Sequence, residues 1–344
     1  VTDGDFIAAL PEALRKAVAA LAVRGPLSVR TRLYIDAPPG TDPPRIYWDG
    51  SAALRDATLR AGVALEHVTG TVAMRGWHDG HHIDGAEGNL DVRELTLFNQ
   101  PIRNLRGEIL VTEDEPDVLR FPGLMAEYFG GQLYGPLRIE LGSKPRYRLN
   151  MTAAQVKLEE FGRHNFNNTE LNGLAVARVY LEGEGGELSG LKGNGRIDVP
   201  QGRMYKLPLL LDLLKFLGLR LPDRTGFEEA HVVFDIEGMR AHVKQLELYG
   251  NAISLRGSGD TNIDGSDLAF AFNVDWARLG QVLPEGVREV PREISNQLFR
   301  IDMRGQVGDV HFREVPVPLL MGPLRKMFTG DDDRWGSQDV PPKR

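Results

Sequence analysis

Apolar and polar residues alternate along much of the chain with a period of two, as in a β-strand that has one buried and one solvated face. The alternation is strictest in residues 231–237 and 267–274. The pattern predicts half-buried antiparallel strands. The residues that share the apolar face of these two segments are Val232, Phe234, Ile236, Leu268, Phe270, Phe272 and Val274.

Turn-forming residues divide the apolar runs into short pieces. The chain has 39 glycines and 21 prolines, and a turn signal about every ten residues is typical of a sandwich, a barrel or a long curved sheet. Residues 123–135 also resemble residues 245–257. This similarity either indicates a sheet that grows by repeated units or reflects chance likeness among glycine-rich hairpins. We predict a mostly β fold: an elongated, curved antiparallel sheet, open or taco-like, with a few short helices.

Helical patterns interrupt the strands in a few places. An amphipathic helix is predicted near the start, and a strand follows it at residues 27–35. Residues 205–219 are apolar on nearly all sides, with a helix beginning near Pro208. This segment is too short to span a bilayer, so we expect it to cover an apolar surface. Short helices are also predicted at residues 156–161, 276–282 and 291–298.

These elements suggest a division of the chain. We expect an N-terminal helix in residues 1–25 and a first β groove unit in residues 26–165. A second unit, residues 166–330, carries the inserted apolar helix at 205–219. The charged residues 331–344 are expected to form a disordered tail.

Composition excludes several classes of function. The formal net charge is −7, so the chain has no overall basic field for nucleic acid. Cysteine is absent, which excludes disulfides, thiolate zinc sites and cysteine nucleophiles. No run of about 20 apolar residues is present to cross a membrane. Because the chain opens at Val1 directly into a helix-like segment, we expect a processed or truncated form that lacks a membrane anchor.

Metal-ligand residues cluster in three places. His78, His81, His82 and Asp84 lie close together and have the chemistry of metal ligands, but Asp79-Gly80 is a strong hairpin signal, so a polar turn is the simpler interpretation. The acidic stretches 113–117 and 331–333 lack the alternating ligands and closing glutamate of a calcium loop. We therefore predict no metal site.

Catalytic signatures are also missing. Asp198, Asp235, Asp260 and Asp264 lie on predicted strands or hairpin ends, and acid–base chemistry would need two of them to face each other across a cleft. The glycine-rich stretches lack the Lys-Ser/Thr of a phosphate loop, and there is no Gly-x-Ser-x-Gly elbow. We predict that the protein is not an enzyme and binds no cofactor.

Several glycine-led stretches resemble the periplasmic AsmA-like family, which includes the TamB-related and other bridge-like envelope proteins. The resemblance is densest between residues 120 and 320 and rests on degenerate motifs without a catalytic signature. The stretches that carry it are residues 121–141, 147–158, 188–208, 227–274, 300–307 and 315–318.

The resemblance implies a membrane-anchored protein of the bacterial periplasm or cell envelope with a long β groove. Its expected ligand is phospholipid or another acyl-chain lipid, which it binds or conducts between membranes, or it supports outer-membrane assembly. A membrane surface and envelope proteins are its other expected partners. The alternatives are a non-catalytic assembly module that binds partner proteins through its sheet edges and a polysaccharide-active enzyme with paired carboxylates.

Apolar strand faces of this kind form either a closed core or an open surface for acyl chains. For the open surface, we predict a groove lined by one set of side chains and a cap or membrane-facing helix formed by another. The predicted lining is Leu246, Leu248, Leu268, Phe270, Phe272 and Val274, and the predicted helix positions are Leu210, Leu213, Leu214 and Leu217.

Overall fold

The computed structural model describes most of the predicted β region. The described residues are 22–36, 45–60, 64–78, 83–142, 144–185, 188–204, 210, 212–213, 216, 227–250, 253–276, 299–307 and 309–315.

Strands dominate this part of the chain and account for 79% of the described residues. The predicted strand at residues 27–35 is confirmed as β1. An α-helix, α1, spans Leu158–Phe166, and a short 3₁₀ turn lies at Leu188–Gly190. The strands are β1 Leu27–Asp36, β2 Arg45–Arg60, β3 Ala64–His78, β4 Ile83–Leu97, β5 Gln100–Thr112, β6 Glu115–Tyr128, β7 Gly131–Glu140, β8 Arg146–Lys157, β9 Asn172–Glu184, β10 Lys192–Val199, β11 Gly202–Arg203, β12 Phe227–Glu237, β13 Arg240–Gly250, β14 Ile253–Asn262, β15 Leu268–Trp276, β16 Phe299–Gln306 and β17 Asp309–Val315.

All seventeen strands belong to one antiparallel sheet. Each strand pairs with the next in sequence, except that β9 pairs with both β10 and the two-residue β11, and β10 pairs with β12. The sheet does not close into a barrel, and at about 4.8 Å per strand it extends roughly 75 Å in the hydrogen-bonding direction. This confirms the predicted elongated antiparallel sheet.

The pairing registers place the apolar positions of successive strands on the same side of the sheet. Because side chains alternate between faces, a shift of one residue in any pair would reverse the next strand. One row of paired residues across ten strands shows that the alternation keeps the same phase from strand to strand. We call the side of the sheet that carries this row the apolar face, and the other side the polar face. The row is Ala126, Leu133, Ala153, Ala177, Ile197, Val232, Leu246, Gly257, Phe272 and Ile301.

Glycines on the apolar face allow the sheet to bend towards that face. Gly88 on β4 lies between Met74 on β3 and Ile109 on β5. A Cβ at Gly88 would lie 2.3 Å from the Ala73 carbonyl oxygen and 2.5 Å from Met74 Cγ. Met74 packs against the cluster that contains Ile109, although their strands are two apart and would lie roughly 9.6 Å from each other in a flat sheet.

Helix α1 ties together two hairpins at one edge of the sheet. The Phe161 ring lies 5.5 Å from the Phe129 ring in the β6–β7 turn. In the β4–β5 turn, His164 Nε2 lies 2.9 Å from the Asn99 carbonyl oxygen. This is the end of the strands at which β10 also leads towards β12, and we call it the helical edge.

Some expectations are adjusted and others lie outside the described residues. The helix predicted at residues 156–161 begins two residues later, because β8 continues to Lys157, and it extends to Phe166. Pairing of β8 with β9 makes one continuous sheet across the proposed boundary at residue 165. Residues 1–21, 277–298 and 316–344 lie outside the described part. They include most of the predicted N-terminal helix, the predicted helix at 291–298 and the predicted tail. Of the helix predicted at 276–282, only Trp276 is described, and it ends strand β15.

The close approach of Ala73 and Met74 to Gly88 can be tested by adding a methyl group at Gly88. Gly88→Ala should lower the free energy of unfolding by about 1–3 kcal/mol, because the new methyl group meets backbone and Met74. Gly123→Ala on β6 is the matched control, since nothing lies within 4 Å of its Cβ position. The measurement is urea unfolding followed by circular dichroism. Equal effects of the two substitutions would contradict the packing argument.

Candidate ligand-binding surface

The middle of the apolar face is a strip of partly exposed side chains. In a closed sandwich these positions would be covered by a second layer, but the described strands form a single sheet. Contiguous apolar surface of this extent is unusual on a soluble monomer and marks binding sites. The partly exposed positions include Val72, Leu90, Leu105, Leu137, Leu149, Met151, Val179, Leu181, Val232, Phe234, Leu246, Phe270 and Phe312.

The six predicted lining residues all lie on the apolar face, at different depths. Leu246 and Phe270 are partly exposed and belong to the strip. The Phe270 ring stacks on the Phe272 ring, with centroids 5.8 Å apart. Of the predicted lining, only Leu246 and Phe270 therefore offer surface to a ligand among the described residues. The other four, Leu248, Leu268, Phe272 and Val274, are buried.

The predicted covering helix packs on the sheet at its described positions. Leu210, Asp212, Leu213 and Phe216 have helical backbone. Leu210 and Leu213 are buried in a cluster with Leu248, Leu255 and Val274. These two leucines therefore cover the helical edge of the apolar face, while Leu214 and Leu217 lie outside the described residues.

Sequence reasoning missed the half of the strip that precedes residue 150. Leu90 and Val92 keep the two-residue period on β4, but the next buried position is Leu95. A register irregularity between β3 and β4 absorbs the extra residue. The apolar positions were visible in the sequence, but the shift in phase hid their common face.

A buried tyrosine is a polar group on the otherwise apolar face. Tyr147 on β8 lies opposite Gly183 on β9, and a Cβ at Gly183 would lie 2.3 Å from the Tyr147 hydroxyl oxygen. Burial raises the pKa of Tyr147. Among the described residues its hydroxyl has no hydrogen-bond partner, so the glycine makes room for the ring without satisfying its polar end.

The polar face is held by pairs of opposite charge between neighbouring strands. Asp198 on β10 lies 2.7 Å from Arg196 Nε and 2.8 Å from His231 Nδ1 on β12. Hydrogen bonds from Arg196, and then from His231, hold the pKa of Asp198 below its usual value. The carboxylate is therefore kept ionised by its neighbours.

The other candidate carboxylates are likewise held locally. Asp235 pairs with Lys244, and Asp260 Oδ1 lies 2.6 Å from His242 Nδ1. Asp264 accepts a hydrogen bond of 2.6 Å from the Ser266 hydroxyl in the β14–β15 hairpin. Each has the partner named above, and Asp235 and Asp260 lie on the strands on either side of His242, at the positions opposite it.

The candidate metal-ligand cluster at residues 78–84 lies mostly outside the described residues. His78 is described, but residues 79–82 and the Asp84 side chain are not. No group of three or more histidine, aspartate and glutamate side chains in the described ranges is placed to hold a metal. A concavity of about 390 Å³ lies on the polar face beside Asp49, Arg75 and Glu87, where Arg75 Nε donates to Glu87 at 2.7 Å.

The acidic turn at residues 113–117 contains an ion cluster instead of a calcium loop. Glu115 accepts two hydrogen bonds from Arg138, at 2.9 and 3.0 Å, and pairs with Arg120. Hydrogen bonds from Arg138 and then from Arg120 lower the pKa of Glu115 from 4.5 to about 2. The carboxylate therefore serves to join β6 to β7.

The pKa of Glu115 predicts a pH dependence of stability. Since the folded pKa is depressed, the stabilisation is present above pH 4.5 and is lost as the pH falls towards 2. Glu115→Gln should reduce the slope of stability against pH in this window, measured by thermal unfolding. Glu113→Gln in the same hairpin is the control. Unchanged slopes in the Glu115 variant would argue against the ion cluster.

Burial of Leu213 predicts a loss of stability when the helix contact is removed. Leu213→Ala should lower the free energy of unfolding by about 2–5 kcal/mol, because it leaves a cavity between the helix and the sheet. Leu174→Ala, at an exposed leucine on β9, should change it by no more than about 0.5 kcal/mol. Urea unfolding of both variants makes the comparison, and a neutral Leu213→Ala would contradict the packing.

Among the described residues, no helix has the length and apolar character needed to cross a bilayer. Comparison with known proteins gave no match to a family model, a curated protein or a solved structure.

Proposed function

We propose that this protein holds the acyl chains of a lipid along its apolar face. The observation that carries the proposal is the strip of partly exposed apolar side chains that crosses the sheet from Val72 on β3 to Phe312 on β17. Only an apolar ligand or another apolar surface is favoured on such a strip, because a polar ligand would lose hydrogen bonds to water without replacement.

The energetics suit an acyl chain. Each methylene group that leaves water contributes about 0.8 kcal/mol, so contact along about five methylenes would contribute about 4 kcal/mol before the cost of ordering the chain. The described positions of the strip carry no row of charges that would fix the ligand at one point. A surface of this kind suits a chain that binds at many neighbouring positions.

The glycine-led resemblance to the AsmA-like family supports the same proposal. In that setting the ligand is phospholipid or a related acyl-chain lipid, and the protein works in the bacterial envelope, anchored to the inner membrane. It passes lipid between membranes or supports outer-membrane assembly. The proposed role is non-catalytic.

Adjacent valines on β12 allow a matched test. Val232 lies on the apolar face opposite Leu246, whereas Val233 lies on the polar face opposite Gln245. Both are partly exposed. Val232→Asp should reduce the lipid that remains bound by at least about tenfold, because a carboxylate in the strip must be desolvated by the chain, and Val233→Asp should retain it.

Native mass spectrometry after mild purification measures the bound lipid, and circular dichroism checks that both variants are folded. Phe270→Asp on β15 repeats the test at a second position, with Ala271→Asp on the opposite face as its control. Wild-type protein without lipid, even after incubation with phospholipid vesicles, would contradict the proposal. Equal lipid content in the variants of the two faces would also contradict it.

A further inference from the structure

The two outer strands of the sheet differ in how their apolar residues are covered. On β1, the side chains of Leu33 and Ile35 on the apolar face are 54% and 67% exposed, and Tyr34 on the polar face is 58% exposed. On β17, Phe312 packs against the buried clusters and stacks on Phe216 with ring centroids 5.5 Å apart. An edge strand shows exposed side chains on both faces when no further strand lies beside it.

The backbone pairing of β1 leaves one side of the strand open. Among the described strands, β1 pairs with β2 from Leu27 to Asp36 and with no other strand. Its remaining N–H and C=O groups can therefore accept another strand with the antiparallel geometry that the rest of the sheet uses.

The charges on β1 indicate what such a strand should carry. Elsewhere on the polar face, arginines meet carboxylates of the neighbouring strand: Arg75 pairs with Glu87, and Arg148 Nε lies 3.6 Å from Glu182. Arg30 and Arg32 on β1 are exposed, and neither forms an ion pair with a described residue. Arg30 lies opposite Ser51, and Arg32 lies opposite Asp49, with which it forms no ion pair.

Aromatic side chains on the polar face form a row from β3 across β2 to the outer strand β1. The rings of Trp77 on β3 and Tyr47 on β2 lie 5.0 Å apart, and those of Tyr47 and Tyr34 on β1 lie 5.8 Å apart. This ladder ends at the exposed Tyr34. A further strand would extend it and bury Tyr34, because cross-strand aromatic pairs stabilise neighbouring strands.

We propose that β1 is a docking edge for an extended segment of a partner polypeptide that adds to the sheet as an antiparallel strand. The partner segment has apolar residues on one face, next to Leu33 and Ile35. Its other face has carboxylates next to Arg30 and Arg32 and an aromatic residue next to Tyr34. A second copy fits poorly through β17, because His311 and Arg313 on the polar face of β17 would lie near these arginines.

Synthetic peptides of the length of β1 test the proposal without any lipid. The probe alternates valine and glutamate, with tyrosine at the position opposite Tyr34. One control peptide has the same composition in scrambled order, and another has lysine in place of glutamate. Hydrogen exchange of the β1 amides that point away from β2 is the readout, and protection of β1 below refers to these amides. The alternating glutamate peptide should slow exchange in β1, and the lysine peptide should bind at least about tenfold more weakly.

Charge reversal gives the sharper comparison. The double variant Arg30→Glu/Arg32→Glu should prefer the lysine peptide to the glutamate peptide. The double variant Arg93→Glu/Arg178→Glu changes the net charge equally at exposed arginines on β4 and β9, and should keep the wild-type preference.

Four results would overturn the proposal. The first is that no peptide slows exchange in β1, and the second is that the glutamate and lysine peptides bind equally. The third is that β1 becomes more protected as the protein concentration rises, with no peptide present. The fourth is that β1 is protected without peptide at every protein concentration. The third would show that a second copy occupies the edge, and the fourth that the chain itself covers it.

Discussion

The structure depends on a single constraint, the phase of the two-residue alternation. The ten strands from β6 to β16 that contribute to the traced row keep their apolar positions on one side, because each antiparallel register along that row pairs apolar or glycine positions. Where a strand gains a residue, as between Ala153 and Val156 on β8, a bulge restores the phase. Without that restoration, the apolar face would end at the first irregularity, and the later strands would present charges to the side that now carries Leu246 and Phe270.

Glycine is the second requirement of an open apolar face. Gly88 and Gly195 lie under large side chains of neighbouring strands, Met74 and Phe234. At Gly88 the missing side chain leaves room for Met74, which packs against the cluster that contains Ile109 on β5. The single sheet leaves the middle strip available, whereas a sandwich would cover that strip with a second layer.

The margins of the sheet differ in whether their apolar side chains are covered, and this difference affects the proposed binding of lipid. Leu210 and Leu213 cover the helical edge, and Phe216 covers Phe312 on β17. Leu33 and Ile35 on β1 continue the apolar face to the open edge of the sheet. A strand added to β1 would extend the same strip, so the docking edge and the lipid-binding surface would form one continuous apolar surface.

The sequence by itself determined the class of the fold and the faces of its most regular strands. Alternation in residues 231–237 and 267–274 depends only on local geometry, so the common face of Phe270 and Phe272 was predictable. Tertiary structure alone decided which of these side chains are accessible, since burial of Leu248 and Val274 depends on the helix at Leu213. It also decided the phase across bulges and the ionic partners of Glu115 and Asp198, because these depend on register between strands, which alternation within one strand does not specify.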